Sequence, residues 1–215
     1  MKALNEVTIP KEFFYLEDKR FILSMDYATN HNFIGRPIAG YQSKVCILTQ
    51  PALKALIAVQ NELDSLNKGY VLKIFDAYRP TTAVADFVQW SHDLADTKMK
   101  AVYYPSLEKQ ELFDLGYIFN QSSHSRGSTA DLTIAIVDPK DKTKHTEMDM
   151  GTIFDYFDET SHTASKGVSK TAQDNRLFFR NLMEKHGFKN YPQEWWHFTL
   201  ANEPFPDTYF AFPVQ

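Results

Sequence analysis

Gln121-Ser122-Ser123-His124-Ser125-Arg126-Gly127-Ser128-Thr129-Ala130-Asp131-Leu132-Thr133-Ile134-Ala135-Ile136-Val137 changes character half-way along. Its first half is small, polar and interrupted by a glycine, which is loop composition. From Thr129 apolar and β-branched residues take over, and Leu132, Ile134 and Ile136 recur at the period of two that predicts a strand with one buried face. Asp131 and Thr133 then face the other way. A loop histidine, His124, is thus delivered next to a strand acid, Asp131, and the rest of the fold must support that strand.

Outward from it, residues 51–68 carry Leu53, Leu56, Ile57, Leu63 and Leu66 at helical spacing, with Pro51 suited to a first turn and Gly69 to the stop. Residues 70–75 alternate as a strand and run into Asp76-Ala77-Tyr78-Arg79-Pro80, where Pro80 ends any regular element and leaves Arg79 at the strand's mouth. A second helix is predicted from Thr81 or Thr82 over Val84, Phe87, Val88 and Leu94, and a shorter one over residues 107–115. Downstream, residues 171–186 have a capping-box start at Thr171 and Asp174, the apolar set Leu177, Phe178, Leu182 and Met183, and a stop at Gly187. Residues 195–200 read as a strand. Helices and strands alternate without a steady strand–helix–strand rhythm, so the predicted class is α+β: a small antiparallel sheet carries the site and helices flank it.

A length of 215 residues and no linker-like tract suit a single domain, 1–215. The net charge of −4 lacks the basic footprint that phosphate backbones require, so no nucleic-acid partner is expected. Cys46, the one cysteine, rules out an intrachain disulfide framework and multi-cysteine metal sites, and its apolar neighbours Val45, Ile47 and Leu48 mark it as a small buried hydrophobe. The opening Met1-Lys2-Ala3-Leu4-Asn5-Glu6 has no apolar core of a secretion signal, and no stretch approaches the roughly 20 apolar residues of a membrane span. A cytoplasmic protein is expected.

Any metal must therefore be held by histidines and carboxylates. His124, Asp131 and His197 form a set of two imidazoles and one carboxylate, which with an open fourth position is common in catalytic zinc sites. The same residues also read as a loop histidine, a strand histidine and a capping acid. Glu194 lies in the turn before the strand of His197 and can face the same metal, where a carboxylate can take a proton from water and pass it to a leaving amine. An exposed loop carboxylate is its other reading. The helical His-Glu-x-x-His pattern is absent. Arg79 can stabilise an oxyanion from the side opposite a metal. Asp149, between two methionines and ahead of Gly151, can bind a substrate ammonium or cap a turn.

With these residues in view, the chain resembles the VanX-like D-alanyl-D-alanine dipeptidases, within a wider group of zinc peptidases acting on bacterial cell-wall peptides. The matching blocks are Phe75-Asp76-Ala77-Tyr78-Arg79-Pro80, Ser122 to Thr133, Met148-Asp149-Met150-Gly151-Thr152, Phe154-Asp155, Ser161-His162-Thr163-Ala164, Asn175-Arg176, Glu194-Trp195-Trp196-His197-Phe198 and Pro206-Asp207-Thr208-Tyr209-Phe210. The resemblance implies one zinc ion per chain on His124, Asp131 and His197, with Glu194 as base and then proton donor and Arg79 stabilising the transition state. It places Ser122 and Asp149 at the substrate's amino end. The implied reaction is hydrolysis of the free dipeptide D-Ala-D-Ala, a small-molecule substrate, to two D-alanines. Two rivals share the ligand set. A zinc D,D-carboxypeptidase or cell-wall amidase needs an open groove for a longer peptide, and a catalytically silent zinc-binding protein would have no use for Glu194 and Arg79.

Overall fold

The computed structural model describes residues 9–215. Strand β1 (Phe13–Tyr15) pairs antiparallel with β3 (Ile47–Thr49) in a two-stranded ribbon, and β2 (Ile22–Leu23) joins the main sheet. Helix α1 (Gln50–Ser65) follows directly, with Pro51 in its first turn, and buries Leu56, Val59 and Leu63. It stops short of the predicted residue 68 because Asn67 and Gly69 take positive φ, a left-handed turn incompatible with further helix. Strand β4 (Tyr70–Asp76) then leads to α2 (Thr81–His92), whose buried face is Ala83, Val84, Phe87 and Trp90. Leu94 falls beyond that helix and is exposed. A short helix α3 (Lys100–Tyr103) follows that was not expected, and of the helix expected over 107–115 one turn forms, α4 (Glu111–Asp114).

The central strand β5 (Thr129–Val137) matches its predicted bounds, whereas β6 (His145–Glu147) is exposed along its length and offers no apolar alternation to read. Helix α5 (Lys170–Lys185) is capped two residues before the expected Thr171: the Ser169 hydroxyl accepts from the Ala172 amide. Its buried stripe is Ala172, Arg176, Phe179, Leu182 and Met183, so the predicted Leu177 and Phe178 lie on the outer side. Arg176 can be buried because its guanidinium donates to the carbonyls of Met150, Thr160 and His162. Last come β7 (Phe188–Asn190) and β8 (His197–Leu200). Trp195 and Trp196, expected in the strand, sit in the turn before it, where the Trp195 amide bonds to Ser161 and its indole N–H to the Thr152 hydroxyl.

The sheet order is β2-β4-β5-β8-β7, with β6 also on β5. Every pairing is antiparallel except β2 with β4, so the expected all-antiparallel sheet is corrected to a mixed one. Both faces of β5 are covered through Ala135, which buries Thr133 along with Leu132 and Ile134, while Ile136 emerges at the strand's end. One buried cluster joins side chains from Phe13 to Val214, and Cys46 lies inside it with burial pushing its thiol up. Among the described residues no helix is long and apolar enough to cross a membrane.

Gly127 ends the histidine loop at φ +81°, and a Cβ there would run into the Phe13 ring. Its amide donates to the His124 carbonyl and its carbonyl accepts from Thr49, so the loop is pinned to the β1/β3 ribbon. The left-handed backbone alone costs a non-glycine residue about 1–2 kcal/mol. Gly127→Ala is accordingly expected to destabilise the fold by more than that, read as a lower urea midpoint; an unchanged midpoint would contradict the account of this turn.

Candidate metal centre and active site

Two strands and a loop converge at one end of the sheet. Asp131 of β5 lies directly opposite His197 at the start of β8. On the other flank a register irregularity between Ile74 and Asp76 sets Asp76 beside Asp131. Two buried carboxylates across a ladder repel, and Arg79 answers both, donating from Nε to Asp76 (2.9 Å) and from Nη2 to Asp131 (3.2 Å). Its guanidinium lies over the adjoining rings of Tyr27 and Phe87, 5.0 and 5.2 Å from their centroids. Tyr41 satisfies the other Asp76 oxygen at 2.6 Å.

His124 arrives on a short 3-10 turn (Ser123–Arg126) capped by the Ser122 hydroxyl, which accepts from the His124 amide at 3.3 Å. Its Nδ1 is 2.7 Å from the Ala77 carbonyl, so that nitrogen carries the proton and Nε2 presents its lone pair to the site. Nε2 lies 3.2 Å from Asp131 Oδ2 and 3.3 Å from His197 Nδ1, which is itself 3.2 Å from Asp131 Oδ1. Burial, with Arg79 nearby, lowers the His124 pKa and keeps the ring neutral, as a ligand must be. Burial alone would raise Asp131, but charge on the His124 and His197 imidazoles would draw it below the usual carboxylate range, as a cation between them would.

The donor set suits a cation. Ligand atoms of His124, Asp131 and His197 all lie within 4.8 Å of one another, and Asp131 Oδ1 is buried without a hydrogen-bond partner. An anion with an unused lone pair facing two imidazole nitrogens is what a metal would satisfy.

Glu194 stands in the turn between β7 and β8, its Oε2 3.4 Å from His197 Nδ1. The Asn190 amide ties that turn by donating to the carbonyls of Glu194 and His197 at 3.1 and 3.0 Å. Burial and the Asp131 carboxylate push Glu194 up to about 8, against the pull of Arg79.

Arg79, Asp131, Glu194 and His197 open on a cavity of about 260 Å³, also lined by Ser122, Tyr27 and Asp155. That is below the roughly 300–1,000 Å³ of pockets for drug-sized ligands, so the space is that of a small substrate. Asp155 is buried at φ +58°, a conformation rare for a side-chain-bearing residue, and accepts from the Tyr27 hydroxyl at 2.8 Å. Asp149 is elsewhere. It is exposed, its carboxylate accepts from the Gly151 amide at 2.9 Å, and it borders a separate open cleft. Of its two readings from sequence, the structure shows the turn cap.

The sequence from residue 18 to 215 matches the family model described as D-ala-D-ala dipeptidase. The chain belongs to that family. Curated relatives named D-alanyl-D-alanine dipeptidase agree. One from Enterococcus faecalis is 43% identical over 88% of this chain and 90% of its own length, and one from Enterococcus faecium is 40% identical over the same shares. A third, from Streptomyces coelicolor, is 39% identical over 87% of this chain and 90% of its own. As a member of the dipeptidase family, the chain brings five of its seven sequence-derived candidates, His124, Asp131, His197, Glu194 and Arg79, into direct contact, with Ser122 on the cavity wall. Sequence reading allowed Tyr27 as an aromatic lining the pocket but left it out of the site, and it missed Asp155. Phe154-Asp155 stood among the family's blocks, but nothing local joins an acid to a tyrosine 128 residues away.

Proposed function

We propose that this chain, acting as one domain, is a zinc-dependent dipeptidase that hydrolyses free D-alanyl-D-alanine to two D-alanines. The observation that carries the reading is one small cavity with Asp131, His197, Glu194 and Arg79 at one side, the His124 imidazole buried behind Asp131 and His197, and a buried acid, Asp155, also in its wall. A zinc ion on the two imidazoles and Asp131 supplies a Lewis acid that makes water a nucleophile near neutral pH and polarises a carbonyl. Glu194 takes the proton of the attacking water and returns it to the leaving amine nitrogen, for which a carboxyl raised towards neutrality is well matched. Arg79, fixed by Asp76 and its two aromatic neighbours, faces the carbonyl oxygen as it becomes an oxyanion.

The ammonium of the substrate goes to Asp155 in this reading. Asp149, the residue the resemblance put in that role, lies outside the cavity. An acyl group on the substrate nitrogen would remove the positive charge that a buried Asp155 can answer, which disfavours the carboxypeptidase and amidase alternatives. Glu194 and Arg79 both in place disfavour a silent binding protein.

The discriminating experiment compares D-Ala-D-Ala with its N-acetyl derivative in wild type, Asp155→Asn and Asp149→Asn. Wild type is expected to cleave the free dipeptide and spare the blocked one. A charge-assisted hydrogen bond is worth about 1.5–3 kcal/mol, so Asp155→Asn should lose about 10–150-fold in kcat/KM for the free dipeptide, mostly through KM. Asp149→Asn should stay within about twofold of wild type, as surface changes do. The reverse ranking of the two variants would overturn the assignment of Asp155.

A further inference from the structure

We infer that Tyr191 and Gln193 staple the outer wall of the cavity to the turn that carries Glu194, and so act as positioning residues that set the size of dipeptide admitted. This rests on the dipeptidase reading above for its substrate, but not for its geometry.

The wall is the segment after α4. Gly116, at φ +78°, reverses the chain, and Tyr117, Ile118 and Phe119 then line the cavity, with Phe119 half-exposed at the rim. The amides of Tyr117 and Ile118 both donate to the Leu112 carbonyl, at 2.8 and 3.1 Å. Those bonds close the wall on its own helix and not on the sheet that carries the catalytic groups.

Side chains from the opposite turn make the connection. Gln193 Nε2 donates to the Leu115 carbonyl at 3.1 Å, and the Tyr191 hydroxyl reaches the Gly116 carbonyl at 3.3 Å while bonding to Gln193 Oε1. Gly116 is what allows the approach. A Cβ there would lie 2.9 Å from Gln193 Oε1 and 3.2 Å from the Tyr191 hydroxyl, closer than a side chain tolerates without displacement.

The other end of Tyr191 belongs to the reaction centre. Its carbonyl accepts the Glu194 amide at 3.1 Å, its amide donates to the His197 carbonyl at 3.0 Å, and its ring stands edge-on to the His197 imidazole at 5.6 Å. Wall and base-bearing turn therefore move as one piece. With the staple intact, the distance from Glu194 to the facing apolar wall is held, and small side chains fit between them. With it cut, Tyr117 keeps its stack on Phe157 but the wall loses its tie to the Glu194 turn, so its rim at Phe119 can shift outward, which admits larger side chains and holds small ones less well.

The test uses Tyr191→Phe, Gln193→Ala and the double variant in the zinc-loaded full chain. Tyr191→Phe removes one oxygen and leaves the ring against His197, so zinc content should stay at the wild-type level. The ratio of kcat/KM for D-Ala-D-Ala to that for D-Ala-D-Phe or D-Phe-D-Ala should fall by about tenfold for at least one bulky dipeptide, the worth of one or two net hydrogen bonds. KM for D-Ala-D-Ala should rise more than kcat falls. The double variant should add little to either single one, because both residues serve one staple. Amide exchange at Tyr117 and Ile118 should quicken by about tenfold in every variant, a local opening measured without any substrate. Unchanged exchange overturns the staple whatever the activity. Faster exchange with unchanged size selectivity overturns its role in substrate choice, whereas a wild type that leaves D-Ala-D-Ala intact overturns the dipeptidase reading alone.

Discussion

Glu194→Gln is expected to lower kcat for D-Ala-D-Ala by about 10²–10⁴-fold while metal content stays at the wild-type level, because general acid–base help is lost and no ligand is touched. Glutamine keeps the volume and the turn, which is held through backbone groups and Asn190 and not through the carboxylate. The same variant has a second, opposite signature. In metal-free protein the folded state keeps a proton on Glu194 up to about 8, whereas the ordinary value is 4.5. Folding between those values must take up a proton, so this residue's contribution to stability is full below 4.5 and lost as pH rises towards 8. Metal-stripped Glu194→Gln should therefore melt higher than metal-stripped wild type near the upper end of that range. Near-normal turnover, or a lower melting point there, would remove Glu194 from the role of base.

Asp131→Asn is expected to act on the metal itself. Asp131 is the one acid among the three candidate ligands; its Oδ2 accepts from Arg79 Nη2, and its Oδ1 has no hydrogen-bond partner among the described residues. An amide in its place is a weaker, neutral donor set against two imidazoles. Loss of an outer-shell partner typically costs about 10–100-fold in metal affinity or activity, and loss of this ligand should exceed that. The measurement is zinc bound per chain after dialysis, together with turnover at saturating zinc. A variant that retains full zinc and full turnover would contradict the ligand assignment. Arg79 stays paired with Asp76, so the variant should still fold.

What was legible in the sequence was what short-range chemistry decides. β5 could be read because its alternation is local and its glycine-bearing approach is polar. Ile136, the last residue of its predicted buried face, was misjudged because burial there depends on how far neighbouring strands extend. The face of α5 was misjudged for a related reason: Arg176 is buried only because three carbonyls from distant loops meet its guanidinium. His124, Asp131, Glu194 and His197 stood out as a ligand-and-base pattern, and spacing left them open to ordinary readings until the strand register joined them. Asp149 looked chemical because it precedes a glycine, yet an acid two residues before a glycine amide is also the signature of a side-chain-capped turn. Asp155 gave no local signal at all, since its partner Tyr27 comes from the other end of the chain.

The most direct test of a zinc dipeptidase is release of D-alanine from D-Ala-D-Ala by one preparation assayed as purified, after chelation, and after zinc is returned. Loss of D-alanine release on chelation and its recovery on adding zinc, in proportion to zinc bound by the His124, Asp131 and His197 set, is the predicted result. Undiminished release from metal-free protein, or none from the zinc-loaded chain, would contradict it.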